Sequence, residues 1–191
     1  MNIRIVTIIC LAVFNQPAHT SDTGTVSQKE ASERFVSEMF QGLTPQLNAL
    51  WLSPELRSGL SDILGHPPQS LRIKYHRESN QTLWILDETG KVKPITIGVF
   101  IQAGQIAAIR VLKFRESRGW EIKYSFFTDQ FQQLGLTEQK RLTAPIDGIT
   151  GATLSVSAMK RVARAALYLD HTLVDTGHSK AAETDTHHGG K

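Results

Sequence analysis

The stretch "PITIGVFIQAGQIAAIRVLKFRES" constrains the fold of this chain more than any other part of it. Two runs rich in aliphatic and β-branched residues, Ile95 to Gln102 and Gln105 to Phe114, are separated by Ala103-Gly104 alone. A short linker with glycine between two such runs is the signature of a β-hairpin. The preceding segments keep the same period. In "LRIKYHR", Leu71, Ile73 and Tyr75 alternate with Arg72, Lys74 and His76, as in a half-exposed strand. "QTLWILDETGK" reads as a further strand running into a Glu88-Thr89-Gly90 turn.

Helical periods flank this block. In "QKEASERFVSEMF", Ala31, Phe35, Val36 and Met39 share one face opposite Glu and Lys, and Gly42 and Pro45 end the run. Pro54 to Leu64 reads as a second helix, stopped by Gly65 and Pro67-Pro68. Residues 27–70 are thus expected to form a helical N-terminal region, followed by a domain over residues 71–170. "RGWEIKYSFFTDQFQQLGL" predicts a loop and a short helix near Thr128 to Leu134. From Leu154 on, Ala158, Met159, Val162, Ala163, Ala166 and Leu167 fall on one face of a helix, with Lys160, Arg161 and Arg164 on the other. After Leu169 the chain becomes polar and loses its aromatics, so residues 171–191 are expected as a flexible tail. The expected fold class is α+β: a mainly antiparallel sheet with N-terminal helices and a C-terminal helix.

At 191 residues the chain fits one domain with appendages. A net charge of +3, with no Lys/Arg-rich block, argues against a nucleic-acid partner. The first residues bear on compartment. Met1-Asn2-Ile3-Arg4 carries one positive charge, Ile5 to Phe14 is apolar, and a polar segment with Pro17 follows. This is the layout of a signal peptide over residues 1–20, cut between Ala18 and Ser21, with a buried strand as the alternative. The expected location is the periplasm or another extracytoplasmic space. Cys10 is the one cysteine and lies inside the apolar run. Its loss with the signal would leave no disulfide, thiolate nucleophile or cysteine-bound metal. His171, His178, His187 and His188 are irregularly spaced and are assigned no metal, and His66 and His76 read as isolated surface residues.

The segment "PIDGITGATLSVSAMKRVARAALYL" carries the chemistry. Gly148 and Gly151 allow tight turning and close approach of a ligand to the backbone. The helix start beyond them offers unpaired N–H groups and the positive end of the helix dipole, an arrangement suited to phosphate. A turn followed by an ordinary cap explains the same residues, and Asp147 also suits an Asx-turn, so the residues alone leave both readings open.

Asp147-Gly148-Ile149-Thr150-Gly151-Ala152-Thr153 resembles the flavinylation motif of the FMN-binding domain family, which includes the C subunit of the sodium-translocating NADH:quinone reductase and the G subunit of the Rnf complex. The family pattern is Asp, a small residue, an aliphatic, Ser or Thr, Gly, Ala, and an acceptor Thr or Ser. All seven positions match. The resemblance implies FMN bound through its phosphate as an ester of Thr153, attached by a magnesium-dependent flavin transferase that splits FAD. It implies that Asp147, Gly148, Thr150, Gly151 and Ala152 shape and present the loop. Where relatives often continue with Thr-Ser, Ser155 stands at the first place, as a further cofactor contact on the resemblance, and Val156 at the second, so one possible phosphate contact is lost. "FRESRGWE" is similar to a Glu-Thr-Pro-Gly segment that lies against the flavin ring in the family, with Arg118 in place of Pro. On that likeness Glu116, Arg118 and Trp120 would contact the isoalloxazine.

Two function classes follow. The first is an extracytoplasmic electron carrier with covalent FMN, served by the transferase and by a membrane or periplasmic redox partner, and with no catalytic residue of its own. The second is a non-redox binding or assembly module holding FMN or another phosphorylated ligand without a covalent bond.

Overall fold

A computed structural model describes residues 27–182. The expected signal peptide, Cys10, and residues 183–191 with His187 and His188 lie outside the described residues. The elements in chain order are α1 (Gln28–Phe40), β1 (Gln46–Trp51), α2 (Pro54–Leu64), β2 (Arg72–Glu78), β3 (Gln81–Thr89), β4 (Pro94–Gln102), β5 (Gln105–Lys113), a short α3 (Ser125–Thr128) and α4 (Thr153–Ala182). The five strands form one antiparallel sheet whose spatial order is their chain order. The fold is α+β, as the periodicities indicate.

Both early helices form for local reasons. Ser27 caps α1 by accepting the N–H of Glu30 at 3.1 Å, and Ser53 caps α2 by accepting that of Leu56 at 3.3 Å. α2 begins on Pro54 and stops at Gly65, whose φ is 80°. Between them the expectation of a helical region fails. Gln46–Trp51 is an edge strand paired along its length with β2. The prolines at 45 and 54 hold this segment away from both helices, and Leu47, Ala49 and Trp51 carry a period of two instead.

The sheet is covered on both faces. Trp84, Ile97, Val99, Ile101 and Ile109 pack against Val162, Ala163, Ala166 and Leu167 of α4 in the main core, which also takes Leu60 and Ile63 of α2. Phe35 and Phe40 of α1 cover the other face over Leu83 and Phe100. This double cover explains why β4 is buried without interruption from Ile95 to Ile101. On β5 the register shifts at Phe100/Ile101, so Ile106 and Ile109 reach the same core despite their odd spacing.

The chain from Trp120 to Phe131 makes successive tight turns: 3-10 over Trp120–Lys123, then α3, then 3-10 over Asp129–Phe131. The predicted helix near Thr128 to Leu134 is therefore displaced. Gln133 and Leu134 are drawn into backbone bonds with Ile106, at 2.8 and 2.9 Å, along the outer edge of β5. α4 also differs from expectation, continuing past Leu169 through the first part of the predicted tail to Ala182. Its reason is visible at the junction: Leu169 is fully buried, and Asp170 and Leu173 are nearly so. No helix among the described residues is long and apolar enough to cross a membrane.

Candidate functional site

The seven-residue motif forms the entry to α4. Ala152 donates its N–H to Ile149 O at 3.0 Å, closing a turn with Gly151 at its third position and a φ of 82°. That backbone angle favours glycine. Ala152 C=O accepts the first intrahelical bond, from Val156 N–H at 2.9 Å, so Ala152 occupies the N-cap. Alanine has no side-chain acceptor, and the first turn of α4 holds no acidic residue. Among the described residues no side chain caps this helix, in contrast to α1 and α2. Its leading N–H groups are left for solvent or a ligand.

Thr153 is the first helical residue, not the cap, and its side chain is exposed. Beneath it the loop is anchored: Ile146 and Ala152 are buried in the main core, and Ile149 packs against it. Gly148 and Thr150 stay exposed on the outer side of the loop. Asp147 donates its N–H to Gln130 Oε1 at 2.7 Å, while its exposed carboxylate accepts no hydrogen bond within the described residues. No Asx-turn forms there.

The second predicted segment comes to the same place. Gly119 has a φ of 85°, and a Cβ at this position would lie 2.5 Å from Ser155 Oγ and 3.6 Å from Ala152 Cβ. The loop thus touches the first turn of α4 through the only residue without a side chain. Ser155, expected near the phosphate, is buried under this contact. Trp120 is 46% exposed and meets Tyr124 edge-on at 5.3 Å, with Phe126 exposed beyond it. Arg118 is exposed.

Glu116 ties this loop to the β3–β4 turn. Its Oε1 accepts the N–H groups of Lys91, Val92 and Lys93 at 2.8, 2.7 and 2.8 Å, gathering the β3–β4 turn. The Val92 and Lys93 amides, foremost, hold its carboxyl below the usual carboxylate range.

Sequence reasoning missed two buried polar groupings. Glu88, placed in a turn by its neighbours, is 3% exposed. It accepts Arg161 Nε and Nη2 at 3.0 and 2.8 Å and meets His66 Nε2 at 3.1 Å. His66 is therefore not isolated. The carbonyl of Pro67, then Glu88, raise its pKa against the opposing effect of burial. At the far end of the sheet, Thr82 donates to Asp170 Oδ1 at 2.5 Å and accepts Trp84 Nε1 at 3.0 Å. Burial raises the Asp170 pKa. His76 is half-buried, which lowers its own. Among the described residues no three His, Cys, Asp or Glu side chains gather as a metal site.

A phosphate group fits the α4 entry on these observations. The helix N-terminus is uncapped and free of acids, and a Cβ at Gly148 or Gly151 would meet nothing within 4 Å. The half-exposed Trp120 ring stands on a loop in contact with the same helix turn. No curated protein matches the chain. Residues 90–168 match a family model described as "FMN-binding domain", a span that includes both loops and the buried part of α4 up to Tyr168. Those residues form a domain of the FMN-binding family, which supports a flavin-binding role.

Proposed function

We propose that this protein carries FMN covalently, as a phosphodiester of Thr153, and works as an electron carrier outside the cytoplasm. The observation that carries the reading is the α4 entry itself. An exposed threonine hydroxyl stands at the head of a helix whose N-terminus no side chain caps. A phosphodiester at that hydroxyl would keep a negative charge beside the leading N–H groups of the helix, where the dipole favours it. The layout of residues 1–20 supports the location.

In attachment, Thr153 Oγ would bond to the phosphorus of the FMN half of FAD. The diphosphate P–O bond breaks, and AMP departs with the displaced oxygen. A base of the transferase takes the hydroxyl proton, since no side chain among the described residues hydrogen-bonds to Thr153 Oγ. Asp147, exposed and unpaired in the loop, is offered to the transferase as a recognition group. Once bound, FMN supplies one- and two-electron redox chemistry. The chain's own contribution is to fix the acceptor, exclude water under Ile146, Ile149 and Ala152, and present the aromatic loop at Trp120.

The test is co-expression of the full chain with a flavin transferase, followed by denaturing gel electrophoresis. A fluorescent band is expected, retained in Thr153→Ser and lost in Thr153→Ala, with the FMN mass on the peptide containing Thr153. A fluorescent Thr153→Ala band, or a dark wild-type band, would sink the covalent reading. Flavin that copurifies natively but leaves on denaturation would favour the non-covalent module instead.

A further inference from the structure

We propose that the cleft between α4 and the loop over residues 138–146 is a binding site for a phosphate monoester, distinct from the Thr153 hydroxyl and independent of whether that hydroxyl is modified. The cleft has a volume of about 850 Å³ and adjoins the motif loop at Pro145 and Ile146. Lys160 and Arg164, on its helical wall, follow Thr153 by seven and eleven residues, so they continue its stripe along α4. They lie about 10 and 16 Å further along the axis.

The charge in the cleft is unbalanced. Lys140, Arg141, Lys160 and Arg164 line it against two carboxylates, Asp62 and Glu138. Among the described residues, of the four cations only Lys140 is paired, with Asp62 at 3.3 Å. Lys160 and Arg164 instead hold backbone carbonyls: Nζ donates to Ile146 O and Nε to Lys140 O, each at 2.6 Å. These bonds orient the two groups without neutralising them. Arg141 makes no side-chain hydrogen bond among the described residues. Burial, and then the neighbouring Arg141 charge, depress the pKa of Arg164, which marks a guanidinium lacking an anion.

An excess of two positive charges suits one dianion, and a phosphate monoester carries about −1.5 to −2 near neutral pH. A single carboxylate would leave half of the excess unmet. Guanidinium forks match phosphate oxygens in paired hydrogen bonds. Leu142, Ala144 and Pro145 add an apolar wall, which free phosphate would not use but the organic part of an ester would.

The test is calorimetric titration of the full chain at constant ionic strength with glycerol 3-phosphate, inorganic phosphate, glycerol and an acidic peptide. Saturable binding of glycerol 3-phosphate, tighter than that of inorganic phosphate and absent for glycerol, is expected. Arg141→Gln and Arg164→Gln should each weaken it by about tenfold or more, the loss of a charge-assisted bond. Arg34→Gln, on α1, should leave it unchanged. Arg141→Gln keeps the test valid if loss of the Arg164 anchor disturbs the loop. Absence of saturable binding, or equal affinity in Arg141→Gln and the wild type, would overturn the site. Equal affinity for inorganic phosphate would overturn the ester assignment. Binding of the acidic peptide but not of the ester would replace it with a protein-docking surface.

Discussion

Glu116 shows how one side-chain oxygen can gather a turn that lies more than twenty positions away in the chain. Its oxygen collects the amides of Lys91, Val92 and Lys93, so Glu116→Ala should accelerate hydrogen exchange at those three amides while Thr153 remains modifiable. Because its folded pKa is lowered, this protection is present above the unfolded carboxyl pKa and is lost as pH falls through the folded value. Protection in the wild type should therefore persist somewhat below the ordinary glutamate range. Asp170 has the opposite sign. Its raised pKa means that the folded state favours the protonated acid, so its ionisation weighs against folding as pH rises. Asp170→Asn keeps an acceptor for Thr82 and removes the buried charge. Its melting temperature should exceed the wild type's at neutral pH, and the advantage should shrink in acid, where Asp170 itself takes up a proton. A thermal scan across pH with equal curves throughout would refute this.

At the scale of elements, the joint between the Gly119 loop and α4 decides whether the two segments predicted from sequence act as one site. Gly119→Ala places a Cβ 2.5 Å from Ser155 Oγ at a backbone angle that suits glycine. It should destabilise the chain by about 1–3 kcal/mol in urea denaturation, the usual result of overpacking. Ser155→Ala in the same chain should recover part of that loss, because the nearest clash is with the hydroxyl. The elements differed in how readable they were, for physical reasons. β4, β5, α1 and α2 declare themselves through period, caps and stops. β1 is short and exposed between two helices, and its edge position leaves Leu47 59% and Trp51 67% exposed, so burial imposes little pattern on it. The start of the predicted tail was hidden because the cover of α4 at Asp170, its bond with Thr82, is a contact 88 positions apart in sequence. Glu88 with Arg161 spans 73 positions, beyond the reach of any local window. The motif at α4 was legible as a local string, whereas the partnering of its Gly119 neighbour required the fold.

Over the whole molecule, α1 gives the sheet a second packed face, and Phe35 is its centre, wholly buried with Arg110 5.0 Å above its ring. Phe35→Ala should cost about 3–5 kcal/mol, the common range for deleting a core aromatic. It should also leave the cleft beside α4 unaltered, since that lies across the sheet. A loss of binding there equal to the loss of stability would show that the two faces are not independent.

The strands follow one another in space in the order in which they are made, so most of the sheet can assemble by adding neighbours one at a time. α4 comes after them in the chain, and the turn at Gly151 takes its shape from Ile146, Ile149 and Ala152 seated in the core that α4 completes. On the proposed reading, the acceptor threonine becomes presentable only when the rest of the domain has finished assembling. The attached flavin would then serve as a maturation stamp, separating finished molecules from unfinished ones before any electron is entrusted to them.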